Sequence, residues 1–267
     1  MMIPSFLMST GQRKMMQDRR KQEVARRLPL CIPWDPEMKY KQELNIVAKT
    51  YKTRSLFDVP TTCHSDPNFM KVEEGIYSPK ESFCYCEVQV PRGTKLDTCY
   101  GREQGSVLFD GPVIIPKVHG RDPIYDNKRW DLHPWMSLTP MELFTLRPGT
   151  KRAKGSVIVA GLGLGHQLIE VSKRKQVTKL VLIEKSKELV DWILPRVKPY
   201  LVRELDDVVT GDAYEVMPKM QADVALVDIF KSYGSNDYER DKLRQACVGI
   251  DFIWAWGASS LRERGLW

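Results

Sequence analysis

The stretch SVIVAGLGLG, Ser156 to Gly165, constrains this chain more than any other part of it. Val157, Ile158, Val159 and Ala160 make a short continuous apolar run, the kind that is buried on both faces of a parallel sheet. Gly161, Gly163 and Gly165 follow at alternate positions, where glycine lets the backbone turn tightly and lets a ligand approach it closely. His166 to Lys173 can then open a helix whose free N–H groups face that ligand. The run reads as a nucleotide-type loop, and its neighbours decide which nucleotide.

From this loop onward the pattern alternates between strand and helix. Strands are expected at residues 156–160, 179–184, 207–209, 223–228 and 251–256, with helices between them, most clearly at 186–196 and 238–247. Such alternation predicts a parallel sheet covered on both faces. Ligands of an open parallel sheet bind beyond the carboxyl ends of the strands, so the residues ending each strand are the candidates. The first strand ends in the glycine loop. The second, KLVLIE, ends in Glu184, nineteen residues after Gly165, where a carboxylate can accept two ribose hydroxyls. The third ends in Gly211-Asp212-Ala213, where Asp212 can accept from an adenine amino group. The fourth, DVALVD, ends in Asp228, beside the reacting end of a ligand laid across the sheet. Each acid alone also reads as a polar strand end or a helix cap; four strand ends in order are harder to explain that way.

Upstream, residues 12–28 read as a basic helix without a clean apolar stripe. Asp35-Pro36-Glu37 gives a helix start, and Tyr40, Leu44, Val47 and Tyr51 share one helical face, so a second helix is expected to end near residues 57–60. SFCYCEVQV (82–90), Lys95 to Tyr100, and 106–115 interrupted by Asp110-Gly111-Pro112 then form a small antiparallel β unit. Lys117 to Trp135 reads as a long loop that can line or cover a pocket. Ser137-Leu138-Thr139-Pro140 starts a further helix that Pro148-Gly149 should stop. The division expected is 1–60, a basic helical segment; 61–136, a β-rich unit and loop; and 137–267, the Rossmann-like domain.

The net charge is +7, and residues 1–61 hold twelve Lys/Arg against six Asp/Glu. The excess would suit an acidic partner such as nucleic acid, or a solvated helix face. The six cysteines are scattered, unlike a disulfide framework, and Cys63-His64, Cys84-x-Cys86 and Cys99 match no common zinc spacing, so no metal is expected. No stretch approaches a membrane span and the first residues lack a secretory pattern, which predicts a cytoplasmic protein.

With these residues in hand, 155–256 resembles the class I S-adenosylmethionine-dependent methyltransferase fold. The resemblance implies that Gly161, Gly163 and Gly165 face the methionine part of S-adenosylmethionine, Glu184 holds the ribose and Asp212 contacts adenine. A dinucleotide-binding domain fits less well, since its fingerprint wants a glycine where this chain has His166. His166 reads as a helix-start residue. Asp228 is the candidate catalytic residue, aligning the acceptor or taking its proton.

The chain also resembles the spermidine synthases, which use decarboxylated S-adenosylmethionine. That similarity extends upstream to the β unit, to Val107-Leu108-Phe109-Asp110-Gly111 and to His133-Pro134. Those enzymes hold a polyamine with carboxylates, whereas this chain has Leu164 in the loop and Ile229-Phe230-Lys231 after Asp228, where Lys231 would repel a cationic amine. The segment through Tyr233 also lacks the Asn/Asp-Pro-Pro-aromatic run of amino-methyltransferases. Only eleven residues follow Trp256, too few for the last two strands of the methyltransferase sheet. The expectation is therefore an α/β protein with a sheet in the order 3-2-1-4-5, its exposed edge covered either by the Trp254, Trp256 and Trp267 region or by a partner subunit in a homo-oligomer. It is read as a methyltransferase of unidentified acceptor, with an aminopropyltransferase or an inactive nucleotide-binding protein of the same fold as alternatives.

Overall fold

The computed structural model describes residues 31–32, 43–46, 54–67, 69, 74–97, 106–121, 129–131, 133–231 and 236–258. The expected basic helix at 12–28 lies outside them. In the upstream half the described strands are β1 (Cys31–Ile32), β2 (Glu43–Ile46), β3 (Thr61–Cys63), β4 (Ile76–Tyr77), β5 (Phe83–Val90), β6 (Lys95–Asp97), β7 (Ser106–Phe109), β8 (Val113–Gly120) and β9 (Met136–Ser137). They build a four-stranded sheet in the order β1-β2-β7-β6 and a second sheet along β3-β5-β8-β9, with β4 paired to β5.

Two expectations are corrected here. Where the spacing of Tyr40, Leu44, Val47 and Tyr51 predicts a helix, Glu43–Ile46 is a strand paired in parallel with Ser106–Phe109. A four-residue run that alternates Glu, Leu, Asn, Ile fits a strand as well as a helical face, and a partner strand decides between them. The stretch expected to begin a loop at Lys117 instead continues β8, because Phe83 to Cys86 supply antiparallel partners as far as Gly120. Lys117 is therefore fully buried, and its ammonium donates to the carbonyls of Pro67, at 3.0 Å, and Phe69. Phe83 to Val88 are all buried, so β5 is covered on both faces.

The downstream half opens with α1 (Pro140–Arg152), which Thr139 caps by accepting from the Glu142 N–H. It runs through Pro148 and Gly149, where the sequence predicts a stop. Proline removes one helical donor, yet the glycine beside it suits the packing: a Cβ at Gly149 would come within 2.4 Å of the Trp254 ring. Then follow β10 (Gly155–Ala160), α2 (His166–Ser172), β11 (Val177–Glu184), α3 (Lys187–Val197), β12 (Asp207–Thr210), α4 (Ala213–Val216), β13 (Ala222–Val227), α5 (Asp237–Ala246) and β14 (Ile250–Ala255). All five strands are parallel, in the order β12-β11-β10-β13-β14. This is the expected 3-2-1-4-5 arrangement.

The two faces of this sheet are sorted by the alternation of side chains along each strand. Val157, Val159, Leu180, Leu182, Val224 and Leu226 join one core with residues of the upstream β unit, including Tyr85, Val88 and Ile115. Ile158, Ala160, Val181, Ile183, Ala225 and Val227 join a second core with Met217, Leu243 and Cys247. The upstream sheets and the parallel sheet thus share a hydrophobic core, and the strand ends open beside the upstream unit. No helix among the described residues is long and apolar enough to cross a membrane.

Candidate functional site

The carboxyl ends of β10, β11, β12 and β13 open into one cleft of about 1450 Å³, whose lining includes Gly161, Gly163, Glu184, Asp212 and Asp228. Its upstream wall is formed by His133, Pro134, Trp135, Met136 and Ser137. The expectation that the stretch ending at Trp135 lines a pocket agrees with this wall. A single small-molecule site occupies about 300–1,000 Å³, so the space exceeds one ligand of that size.

The glycine loop is shaped by the protein around it. Gly161 has φ 99°, and a Cβ there would lie 2.1 Å from the backbone oxygen of Asp228. Any side chain would push β10 and the end of β13 apart. Gly165 has φ 74° and is the N-cap of α2; a Cβ would strike Val197 at 2.5 Å. Gly161 and Gly163 reach the cleft, while Gly165 packs against α3. Leu164 is 5% exposed and belongs to the core. Its apolar character is explained by that burial. His166 opens α2, as expected, and burial lowers its imidazole to about 4, which keeps it neutral near pH 7.

Glu184 ends β11 and ties two neighbouring segments together. Its Oε2 accepts from the Leu162 N–H at 2.8 Å, and its Oε1 accepts from the Ser186 N–H at 2.8 Å. Each carboxylate oxygen keeps a second acceptor site after one such bond, so the group holds the loop and still has capacity toward the cleft. Ser186 in turn caps α3 by accepting from the Leu189 N–H at 3.1 Å.

Asp212 caps the short helix α4 through the Tyr214 N–H at 2.9 Å and pairs with the Lys185 ammonium at 2.8 Å. The Lys185 hydrogen bond, then that of the Tyr214 amide, holds its carboxyl below the ordinary range. Both the structural and the ligand-facing readings of this residue therefore have physical content: it is a helix cap, and it lines the cleft. Tyr214 beside it donates to Glu239 Oε2 at 2.5 Å. Its hydroxyl is held protonated by burial first and by the Glu239 carboxylate second.

Asp228 sits directly after β13, its backbone N–H bonded to the Ala160 carbonyl at 2.9 Å. Burial alone raises its carboxyl to about 7. Glu142, which the sequence reading did not single out, lines the same cleft from the first turn of α1. Its Oε2 accepts from both the Ser137 N–H at 2.7 Å and the Ser137 hydroxyl at 2.6 Å. Burial raises its carboxyl to about 8 against the lowering effect of Ser137, with the charge of Asp228 adding to the rise. The signal for Glu142 was present in Thr139-Pro-Met-Glu142, a capping-box spacing, although the carboxylate reaches Ser137, two residues before the cap. Lys231 lies with its ammonium 5.8 Å from the centre of the Trp135 ring, and Trp135 remains 44% exposed. Tyr233 lies outside the described residues. Among the described residues no group of three or more His, Cys, Asp or Glu is placed to hold a metal; Cys84, Cys86 and Cys247 are buried and Cys63 is exposed.

A parallel sheet in this order, with a glycine loop after its first strand and a cleft across its strand ends, defines a Rossmann-like α/β fold. Solved structures similar to the chain include the spermidine synthase of Thermotoga maritima, at 16% identity over 57% of this chain and 56% of that one, with a TM-score of 0.37. Trm5b of Pyrococcus abyssi is 15% identical over 61% of this chain and 46% of its own, with a TM-score of 0.33. A precorrin-8w decarboxylase of Methanobacterium thermoautotrophicum is 19% identical over 41% of this chain and 58% of its own, with a TM-score of 0.31. The chain thus spans less than two thirds of each of these proteins. No protein-family model matches it, and no curated protein matches it in sequence.

Proposed function

We propose that this chain binds S-adenosylmethionine across the carboxyl ends of its parallel sheet and transfers the methyl group to a second molecule admitted to the same cleft. The observation that carries this reading is the ordered set of strand ends: Gly161 and Gly163, Glu184, Asp212 and Asp228 all line one space. In this reading the glycine loop faces the methionine part, Glu184 accepts from the ribose hydroxyls through its remaining lone pairs, and Asp212 lies toward the adenine. The residues suit such a ligand, because Asp228 has no side-chain hydrogen bond among the described residues and stands at the reacting end. Bound there, the cofactor supplies a methyl carbon activated by a positively charged sulfur. Asp228 orients the acceptor and takes its proton. The cleft volume beyond one ligand is the room the acceptor needs.

A second reading, aminopropyl transfer from decarboxylated S-adenosylmethionine, is favoured by one observation. Glu142 and Asp228 bring two carboxyl groups to the cleft. Thermal unfolding in the presence of S-adenosylmethionine, its decarboxylated form, S-adenosylhomocysteine and NAD separates the readings. A ligand at a hundred times its dissociation constant adds about 2.7 kcal/mol of stability. Stabilisation by S-adenosylmethionine and S-adenosylhomocysteine supports the first reading, a response confined to the decarboxylated form supports the second, and a response to NAD alone or to none of them removes both.

A further inference from the structure

One aromatic ring in the cleft is held in place by its neighbours and left uncovered. The Trp135 indole lies against Gly120, where a Cβ would come within 2.2 Å of Cε2, and Phe83 meets it edge-on with ring centres 5.7 Å apart. The residue is nevertheless 44% exposed and lines the cleft. An indole fixed in this way and open to a concave space offers a surface for a second planar group. Lys231, also lining the cleft, brings its ammonium to 5.8 Å from the centre of that ring, within the range of a cation–π contact. Among the described residues no carboxylate lies within ion-pair distance of Lys231.

Both groups stand beside the glycine loop. Met136, next to Trp135, has its sulfur 3.2 Å from the place of a Cβ on Gly163, and Ile229, between Asp228 and Lys231, has a methyl carbon 3.5 Å from that of Gly161. In the proposed function this loop faces the methionine part of the cofactor, so Trp135 and Lys231 flank the position of the acceptor.

We propose that the acceptor is a small planar aromatic anion, whose ring stacks on Trp135 and whose charged group pairs with Lys231. The role of this molecule as acceptor rests on the methyl-transfer reading; a subsite for an aromatic anion stands apart from it. Trp135 and Lys231 act on specificity. The ring gives area to a planar partner, and the ammonium favours a negative group while rejecting a positive one, such as a polyamine. The carboxyl groups of the cleft do not reverse that preference, because most are engaged. Asp212 pairs with Lys185, Glu239 accepts from Tyr214, Glu184 binds two backbone amides and Glu142 binds Ser137. A nucleic acid fits less well. Its backbone wants a positively charged groove, and six carboxyl groups line this cleft beside three lysines.

The test is isothermal titration of the full chain, with and without S-adenosylhomocysteine, using four probes of one skeleton: naphthoate, naphthylmethanol, naphthylmethylammonium and the saturated decahydronaphthoate. A single-stranded RNA oligonucleotide is the fifth. Naphthoate is expected to bind more tightly than each of the others. Lys231→Gln should weaken naphthoate at least about fivefold, leave naphthylmethanol unchanged, and be rescued by Lys231→Arg. Trp135→Leu should weaken naphthoate about tenfold and abolish its advantage over decahydronaphthoate. Lys231 is exposed, so Lys231→Gln remains decisive if Trp135→Leu proves poorly folded in thermal unfolding. Equal affinity for naphthoate in the wild type and Lys231→Gln, a preference for the ammonium probe, or no naphthoate binding overturns the proposal. RNA bound more tightly than naphthoate, and weakened by Trp135→Leu, overturns the small-molecule assignment. Binding of S-adenosylhomocysteine without the naphthoate pattern overturns the acceptor class alone. The naphthoate pattern without any binding of S-adenosylhomocysteine or S-adenosylmethionine overturns the methyl-transfer reading and leaves the anion subsite standing.

Discussion

Glu184 does two things with one side chain. It joins the glycine loop to the start of α3 by accepting from Leu162 and Ser186, and in the proposed function it also accepts from a ribose. Replacing it by alanine leaves two backbone amides without their charged partner, and each such bond contributes about 1.5–3 kcal/mol. Glu184→Ala is therefore expected to lower stability in urea unfolding by about 2 kcal/mol or more, while Glu184→Gln, which keeps one acceptor oxygen, should lose less. At Asp228 and Glu142 the same scale yields a pH dependence. Both carboxyls are raised in the folded state, to about 7 and about 8. Folding therefore favours their protonated forms, and their contribution is fully present below the unfolded values near about 4 and is lost as pH rises through the folded ones. Glu142→Gln removes its share of that loss. Compared with the wild type, the variant should gain stability in urea unfolding between pH 5 and pH 9; parallel curves for the two proteins would contradict the raised Glu142 carboxyl.

The elements carry the site because their ends are pinned. Ser186 caps α3, and Ser186→Ala should cost about 1 kcal/mol, read as a lower urea midpoint with an unchanged slope. A larger loss would mean that the Glu184 bond to the Ser186 amide is broken as well. At this scale the sequence was most legible in the parallel sheet. Apolar runs of four to six residues bounded by glycine or acids, such as VIVAG and VLIE, have few other ways to be buried, and their order follows from the connections. It was less legible where short segments depend on distant partners. Glu43–Ile46 is a strand because Ser106–Phe109 pairs with it, a contact between residues sixty-three positions apart that no local period contains. Pro148 and Gly149 are usual helix stops, yet α1 passes through them, and Trp254 fills the space that a residue larger than Gly149 would take. Glu142 went unread for a similar reason. Its spacing from Thr139 marks a helix start, whereas its place in the cleft depends on where α1 packs against the parallel sheet.

At the scale of the whole molecule, the upstream β unit is part of the site. Its core is continuous with one face of the parallel sheet, and the segment from His133 to Ser137, which leads into and forms β9, lines the cleft, with Met136 beside Gly163 of the glycine loop. A ligand held there would touch both halves and should raise their stability together. The chain should accordingly unfold in one transition with a bound nucleotide, whereas two separated transitions, of which only one moves with ligand, would indicate that the halves do not share the site. The measurement that bears most directly on the central claim is isothermal titration of the full chain with S-adenosylmethionine, repeated with Glu184→Ala at a temperature where both are folded. The account predicts one binding event per chain, weakened at least about tenfold by the loss of the ribose acceptor. Absence of binding, or the same affinity in Glu184→Ala, would contradict it.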